Sequence, residues 1–368
     1  MNILYIEPFY SGSHKHWIDS YKKISKHNIN ILSLPGKHWK WRMHGASITL
    51  AEIFMKNNKS YDLIIASDFL NLPLFKSLCH EKLGEIKIVI YFHENQITYP
   101  WSPNDQDIKL KRDLHYAFIN YSSSLISTHN LFNSQYHLDS YIKGLSKYLK
   151  LMPDYNNLNS IKRILSKSSV LYLGCKLDNA VQNIKENETP IILWNNRWEY
   201  DKNPELFFNT LKKIKSEGVK FKLVVLGENF NKCPSIFIHS KEIFKNEILH
   251  IGYCETRSEY LNWLAKSDIL PVTSIQDFFG ISIVEAIAMN NYPILPNRLS
   301  YPELLDAKTF PEIFYETEKQ FHSLIIEVIK NYKNLRNNVS KYRNIINRFN
   351  WPEIIDEYDE KFIQIYNS

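Results

Sequence analysis

The sequence predicts the α/β class, with two doubly wound domains facing a cleft. Short apolar runs alternate with stretches of helical periodicity along most of the 368 residues, which is the pattern of repeated β-α units. Many of the runs are β-branched and apolar on both faces, as parallel strands buried between helices are. A polar segment, 178–190, interrupts the chain near its middle and is followed at once by a fresh strand, Ile191-Ile192-Leu193-Trp194. Each half is therefore expected to carry its own sheet.

Strands are expected at 3–6, 29–34, 62–66, 88–92, 125–127, 170–173, 191–194, 223–226, 248–251, 269–272 and 292–295. Between them, 204–217 and 258–266 carry apolar residues at helical spacing, and 281–289 reads as an apolar helix. The last stretch, 351–366, is helical in pattern, with Pro352 in its first turn, where a missing N–H costs nothing. Where that helix packs is left open. The division expected is a first domain over 1–178, a second over 190–345 and a C-terminal helix over 350–368.

A hydrophobic fraction of 44% and a charged fraction of 23% exclude a disordered chain and a coiled coil. No apolar run approaches the roughly 18–20 residues of a membrane span. The opening Met1-Asn2-Ile3-Leu4-Tyr5-Ile6 lacks a basic flank and reads as a buried strand rather than a signal peptide. Cys79, Cys175, Cys233 and Cys254 lie far apart with no C-x-x-C pair. Neither a zinc site nor a disulfide framework is expected, and a reducing cytoplasm without membrane contact is the simpler setting. A net charge of +6 is compatible with an anionic partner such as RNA or a nucleotide.

Only ten glycines occur, against about 26 at an average usage of roughly 7%. Those kept are expected where the backbone demands them. Gly12, Gly227 and Gly252 follow expected strands, and Gly280 precedes the apolar helix. Loops at the carboxyl ends of parallel strands line a ligand crevice, though such glycines equally serve tight turns. No G-x-G-x-x-G follows the first strand and no G-x-x-x-x-G-K-[ST] is present, which argues against dinucleotide oxidoreductases and P-loop NTPases.

The sharpest signal is Asp277-Phe278-Phe279-Gly280-Ile281-Ser282-Ile283-Val284-Glu285. It follows a strand and enters a helix whose first N–H groups suit a diphosphate. Asp277 and Glu285 are spaced to reach one pocket, where carboxylates accept hydrogen bonds from sugar hydroxyls. Arg197 and Lys202 flank the loop after the strand at 191–194 and supply cations for a diphosphate. The alternative is a surface ion-pair loop with Glu199 and Asp201.

In the first half, Lys37-His38-Trp39-Lys40-Trp41-Arg42-Met43-His44 interleaves cations with indoles, as an RNA-contact loop does. Inward packing of the tryptophans is the other reading. His14 and Lys15 follow the first strand. His93-Glu94-Asn95-Gln96 ends another strand, again at the crevice, where its side chains would bind a ligand or else cap the strand. Arg112, Asp113 and His115 would lie on a helix. Asn133 and Ser134 could cap a helix or line the crevice. Asp105-Gln106-Asp107 imitates a D-x-D metal motif but falls in a polar loop, and His14 and His16 share no helical face, so no metal is expected.

The second half resembles the nucleotide-sugar domain of retaining glycosyltransferases with two Rossmann-like domains, the GT-B fold. The resemblance implies that Glu285 binds the donor ribose, that Asp277 contacts the donor sugar, and that Arg197 and Lys202 bind the diphosphate. It extends the donor site to Gly12, Gly227, Phe279, Gly280 and Ile281. In the first half, Glu7-Pro8-Phe9-Tyr10-Ser11-Gly12-Ser13-His14-Lys15, Leu34-Pro35-Gly36-Lys37-His38-Trp39-Lys40-Trp41-Arg42, Tyr91-Phe92-His93-Glu94-Asn95-Gln96 and Lys150-Leu151-Met152-Pro153-Asp154 resemble the tRNA-queuosine α-mannosyltransferase family. So do Arg197-Trp198-Glu199-Tyr200-Asp201-Lys202 and Val225-Leu226-Gly227-Glu228. This implies metal-independent transfer of mannose from GDP-mannose to queuosine in a tRNA anticodon, that of aspartate tRNA. His93 would act in catalysis beside Arg197, Lys202 and Glu285. His14, Lys15, Trp39, Trp41, Arg42, Glu94, Gln96 and Arg112 would serve the acceptor. The rivals are a glycosyltransferase acting on a lipid or polysaccharide, for which the basic and partly apolar segment 141–151 would be the membrane element, and a non-catalytic RNA-binding protein of the same fold.

Overall fold

Runs such as Leu63-Ile64-Ile65-Ala66-Ser67 are buried at every position, as strands covered on both faces must be. They assemble into two parallel six-stranded sheets. The computed structural model describes residues 1–103, 105–110, 114–177, 187–228 and 234–368, without the side chains of 108, 109, 336 and 337. The chain divides into one unit of Met1–Lys176 with Phe349–Ser368 and another of Leu177–Arg348.

The first unit holds β1 (Asn2–Tyr10), β2 (Asn28–Pro35), β3 (Leu63–Ser67), β4 (Lys87–Phe92), β5 (His129–Phe132) and β6 (Ser168–Val170), in the order β2-β1-β3-β4-β5-β6. Its helices include α1 (Gly12–Ile24), α2 (Trp39–Lys56), α3 (Leu114–Ile126), α4 (Gln135–Leu149) and α5 (Ser160–Ser166). Two expected strands are corrected. Residues 125–126 close α3 instead, and the hydroxyls of Ser124 and Ser127 donate to carbonyls three residues back, which favours the helical turn. The strand expected at 170–173 ends at Val170, because beyond it the Tyr358 hydroxyl takes over the Tyr172 carbonyl and the Gly174 N–H.

The second unit holds β7 (Ile191–Trp194), β8 (Lys222–Leu226), β9 (Ile248–Gly252), β10 (Ile269–Pro271), β11 (Tyr292–Pro296) and β12 (Phe314–Tyr315), in the order β12-β11-β10-β7-β8-β9. Helices α6 (Pro204–Ser216), α7 (Arg257–Lys266) and α8 (Ile281–Ala288) follow β7, β9 and β10. The two-residue β12 is too short to leave a pattern in the sequence. An aromatic cluster anchors β7: Trp194 packs on Phe207 and Phe237, and Trp198 stacks on Phe237 with ring centres 4.5 Å apart.

The last helix, α9 (Trp351–Asn367), belongs to the first unit. Its buried Asp359 accepts from the hydroxyls of Tyr21 and Ser25 and from the N–H of Lys26. Tyr358 accepts from Trp17 Nε1 at 3.2 Å. Gly174 admits the Trp351 ring, which would lie 2.5 Å from a Cβ there.

Candidate active site

In the second sheet β7 and β10 are neighbours, while the chain leaves β7 toward one edge and β10 toward the other. Ligands of doubly wound sheets bind outside such a switch point. The loops after these two strands meet there. Ile275 N–H donates to the Asp201 carbonyl at 2.8 Å, and Thr273 Oγ1 to the Lys202 carbonyl at 2.8 Å. Lys202 Nζ donates to the Gln276 carbonyl at 2.8 Å and sits 3.3 Å from Asp201 and 3.4 Å from Asp277. Its side chain is only 10% exposed. Burial works against the charge, but Asp277 and Asp201 outweigh it and hold the Lys202 pKa above the usual lysine value. Tyr301 donates its hydroxyl to Asp277 at 3.3 Å.

Gly280 precedes α8 at φ 93°, a left-handed conformation that favours glycine, and no side chain caps the helix start. Asn195 donates to the Ser282 carbonyl at 2.7 Å and Ser282 donates to Asn196 at 2.9 Å, tying the first turn of α8 to the end of β7. Glu285 is held from α7: Arg257 Nη2 donates to one carboxylate oxygen at 2.6 Å and the Tyr260 hydroxyl to the other at 3.1 Å. Each oxygen keeps a lone pair for a ligand hydroxyl. Asn195 Oδ1 and Gln276 Nε2 are buried without a partner among the described residues. Buried orphans are costly, and a polar ligand would relieve them. Arg197 is 49% exposed and 3.2 Å from Glu199. Phe279 is buried and Ile281 half-buried at the helix start. Gly227 has a role within the chain, since a Cβ there would fall 2.2 Å from the Asn196 carbonyl. Arg257, Tyr260, Asn195 and Tyr301 escaped the sequence reading, because nothing in their spacing marks them until the sheet order brings β7, α7 and α8 together.

In the first unit a buried polar network lies at the ends of β1, β3 and β4. Glu7, wholly buried, accepts from the Tyr5 hydroxyl, the Phe9 N–H and the Ser67 hydroxyl, each at 2.9 Å. His14 Nδ1 lies 3.0 Å from Oε2, the oxygen that also accepts from Tyr5. Burial opposes charge on both, but each stabilises the other: Glu7 falls below the usual carboxylate range and His14 is raised to about 9. The His93 ring is centred 4.1 Å from that of His14. Burial, and then the neighbouring His14 cation, push His93 well below the usual histidine value. Asp68 accepts from the His93 N–H at 2.9 Å and Asn133 donates to the His93 carbonyl at 2.9 Å. Glu7 and Asp68 were not picked out from sequence as members of a network; for Glu7 the available signal was an acidic residue inside an otherwise apolar strand, and for Asp68 an acid just after one.

Gly12 opens α1 at φ 52°. Lys15 is exposed, its ammonium 5.4 Å from the centre of the Tyr10 ring. Gln96 donates to Glu94 at 2.9 Å. The loop expected at 37–44 is corrected, since α2 begins at Trp39. There the two indoles part. Trp39 packs among Phe69, Trp101 and Tyr116, whereas Trp41 is 64% exposed and lies against Gly45. Arg42 donates to the Pro35 carbonyl at 3.2 Å. Asp105 and Asp107 clasp Lys40, each at 2.6 Å, so this D-x-D serves an ammonium. Ser134 caps α4 by accepting from His137 N–H. Arg112 and Asp113 lie outside the described residues; His115 is exposed on α3. One group of potential metal ligands comes together among the described residues: His250, Cys254 and Glu259, with ligand atoms within 4.8 Å of one another.

The family model described as tRNA-queuosine alpha-mannosyltransferase N-terminal matches residues 2–175, and that of glycosyl transferases group 1 matches 176–344. The chain is 33% identical over 315 residues to the tRNA-queuosine alpha-mannosyltransferase of Drosophila melanogaster, covering 82% of this chain and 81% of the relative. Among solved structures, the sucrose-phosphate synthase of Thermosynechococcus elongatus aligns with a TM-score of 0.73 at 12% identity, over 100% of both chains. Anabaena HepE in complex with UDP-glucose aligns at 0.67 and 13% identity, over 99% of this chain and 100% of that one. A Rickettsia africae glycosyltransferase aligns at 0.65 and 18% identity, over 99% and 98%. At these identities the solved structures establish the shared GT-B fold.

Proposed function

Because this chain belongs to the tRNA-queuosine α-mannosyltransferase family, we propose that it transfers mannose from GDP-mannose, with retention, to queuosine in the anticodon of aspartate tRNA. The observation that carries the reading is the 33% identity running through both units to a relative of that name. The second-unit constellation supports it. Arg197, Lys202 and the uncapped start of α8 meet the negative charge that grows on the departing diphosphate, a preorganised electrostatic role. Glu285 takes the ribose hydroxyls, its carboxylate aimed by Arg257 and Tyr260. Asp277 takes a hydroxyl of the sugar.

In the reaction the bond between the sugar carbon and the phosphate oxygen breaks, its electron pair leaving with GDP. The acceptor oxygen bonds to the same carbon on the same face and its proton passes to the departing phosphate. Neutral His93 suits a sugar hydroxyl, while Glu94 and Gln96 serve the acceptor diol. Lys15, Trp41 and Arg42 face RNA. The buried free thiols of Cys79, Cys175 and Cys254 suit a reducing cytoplasm. The test is incubation of the protein with GDP-mannose and queuosine-bearing tRNA, followed by mass spectrometry of the nucleosides. A hexose added to queuosine is the expected product; its absence from every queuosine-bearing tRNA overturns the reading.

A further inference from the structure

Away from both constellations, α4, α5 and the connection between them line a shallow, open groove of about 730 Å³. Its walls carry Lys143, Lys147, Lys150 and Lys162, and Ile142 and Ile161 lie between them. Residues 143, 147 and 150 recur at helical spacing and so share one face. No acidic residue lines the groove, and none of the four lysines is ion-paired among the described residues. Four cations gathered without counter-charge repel one another, which a polyanion would relieve. In the connection between Lys150 and Leu158, which both line the groove, Tyr155 is 89% exposed and held at φ 39°. A bulky side chain rarely adopts that backbone, and such costs persist where function requires them. Lys150 also opens the Lys150-Leu151-Met152-Pro153-Asp154 run, for which the site described above has no use.

We propose that this groove binds the phosphodiester backbone of the acceptor RNA, with Tyr155 as an aromatic platform for a base or ribose. The proposal rests on the reading of the acceptor as tRNA. The fold supplies the spacing. Helix α4 is capped by Ser134, next to Asn133, which holds the His93 carbonyl. At 1.5 Å per residue the lysines lie about 13 to 24 Å along the axis from that end. At roughly 2.8 Å of rise per nucleotide in an A-form stem that is about five to nine steps, enough to reach from an anticodon base into its flanking stem. Alternating cations and an exposed ring are how proteins hold a nucleic-acid strand without reading its sequence.

The test compares the whole protein with a variant carrying Lys143→Glu, Lys147→Glu and Lys150→Glu, using queuosine-bearing tRNA and GDP-mannose. The expected result is a tRNA affinity reduced at least 30-fold and a shallower salt dependence, with the log–log slope lower by about 2 to 3. Affinity for GDP-mannose stays within twofold of the parent, which also shows that the variant is folded. The milder Lys→Gln triple variant weakens tRNA binding less, and reversal of Lys22 and Lys23 on α1 does not weaken it. Tyr155→Ala weakens binding several-fold and Tyr155→Phe does not. Unchanged tRNA affinity and slope in the triple variant overturn the proposal. So does lysine-dependent binding to phosphatidylserine vesicles with tRNA binding unaltered. If the parent protein binds tRNA through the groove yet adds no hexose to it, the groove stands and the activity proposed above falls.

Discussion

His14 Nδ1 lies 3.0 Å from Glu7 Oε2 with both side chains buried, so one ion pair is built into the end of the first sheet. The partner rings sort the charge. His14 is held as a cation, and His93, its ring tilted against that of His14 with centres 4.1 Å apart, is kept neutral.

That pair makes stability fall in mild alkali. The His14 pKa is raised from 6.5 to about 9 on folding, so its contribution is complete below pH 6.5 and is lost as pH rises through about 9. The shift corresponds to a contribution of order 3 kcal/mol. Denaturant melts between pH 6 and 10 should decline across this window in the parent. Glu7→Gln should remove most of that slope and lower stability at pH 6; an undiminished slope in the variant would refute the assignment.

Glu285→Gln should weaken GDP-mannose binding and transfer by about 100-fold, roughly the loss of a charge-assisted hydrogen bond. Melting should change by only a few degrees, since the amide keeps an oxygen to accept from Arg257 or Tyr260. Arg257→Ala should give a smaller loss of donor affinity. Calorimetric titration with the donor reads both, and full affinity in Glu285→Gln would remove Glu285 from the site.

Lys202→Met should destabilise the second unit by about 3 kcal/mol or more, because Asp201 and Asp277 then face each other without the ammonium. Adding Asp277→Asn should recover part of that stability but not donor binding. A double-mutant cycle by chemical denaturation measures the coupling; additive effects would show that the lysine does not bridge the loops.

The two indoles of α2 should separate by assay. Trp39→Ala opens a cavity among Phe69, Trp101 and Tyr116 and should cost about 3 kcal/mol of stability. Trp41→Ala should leave stability within about 0.5 kcal/mol and weaken RNA binding by about 1–3 kcal/mol. Equal stability losses would contradict this division.

Transfer should survive chelation. Dialysis against EDTA is expected to leave the rate within twofold, on the role proposed for Arg197, Lys202 and the start of α8 at the diphosphate. Elemental analysis of the same sample reports any metal held by His250, Cys254 and Glu259. A rate abolished by EDTA and restored by a divalent cation would show that the reaction needs one.

What could be read along the chain is what neighbouring residues decide. The periodicity of 191–194, 204–217 and 292–295 follows from burial on one or both faces, so the strands β7 and β11 and the helix α6 fall where expected. The Asp277–Glu285 element is equally local, a strand end, a glycine and a helix start in nine residues. Local patterns fail where a competing hydrogen bond decides the outcome, as the serine hydroxyls do at the end of α3 and the Tyr358 hydroxyl does after β6.

By itself, then, the sequence determined two sets of β-α units, the glycine-led helix start and the family to which they belong. Only the tertiary structure decided which side chains share a pocket. Arg257 and Tyr260 reach Glu285, Lys202 reaches Asp277, and Asp359 reaches back to Tyr21 and Ser25 at the opposite end of the chain. Those pairings depend on strand order and on which surface a terminal helix covers. Both are set by the summed burial of distant segments, a quantity that no single stretch of residues contains.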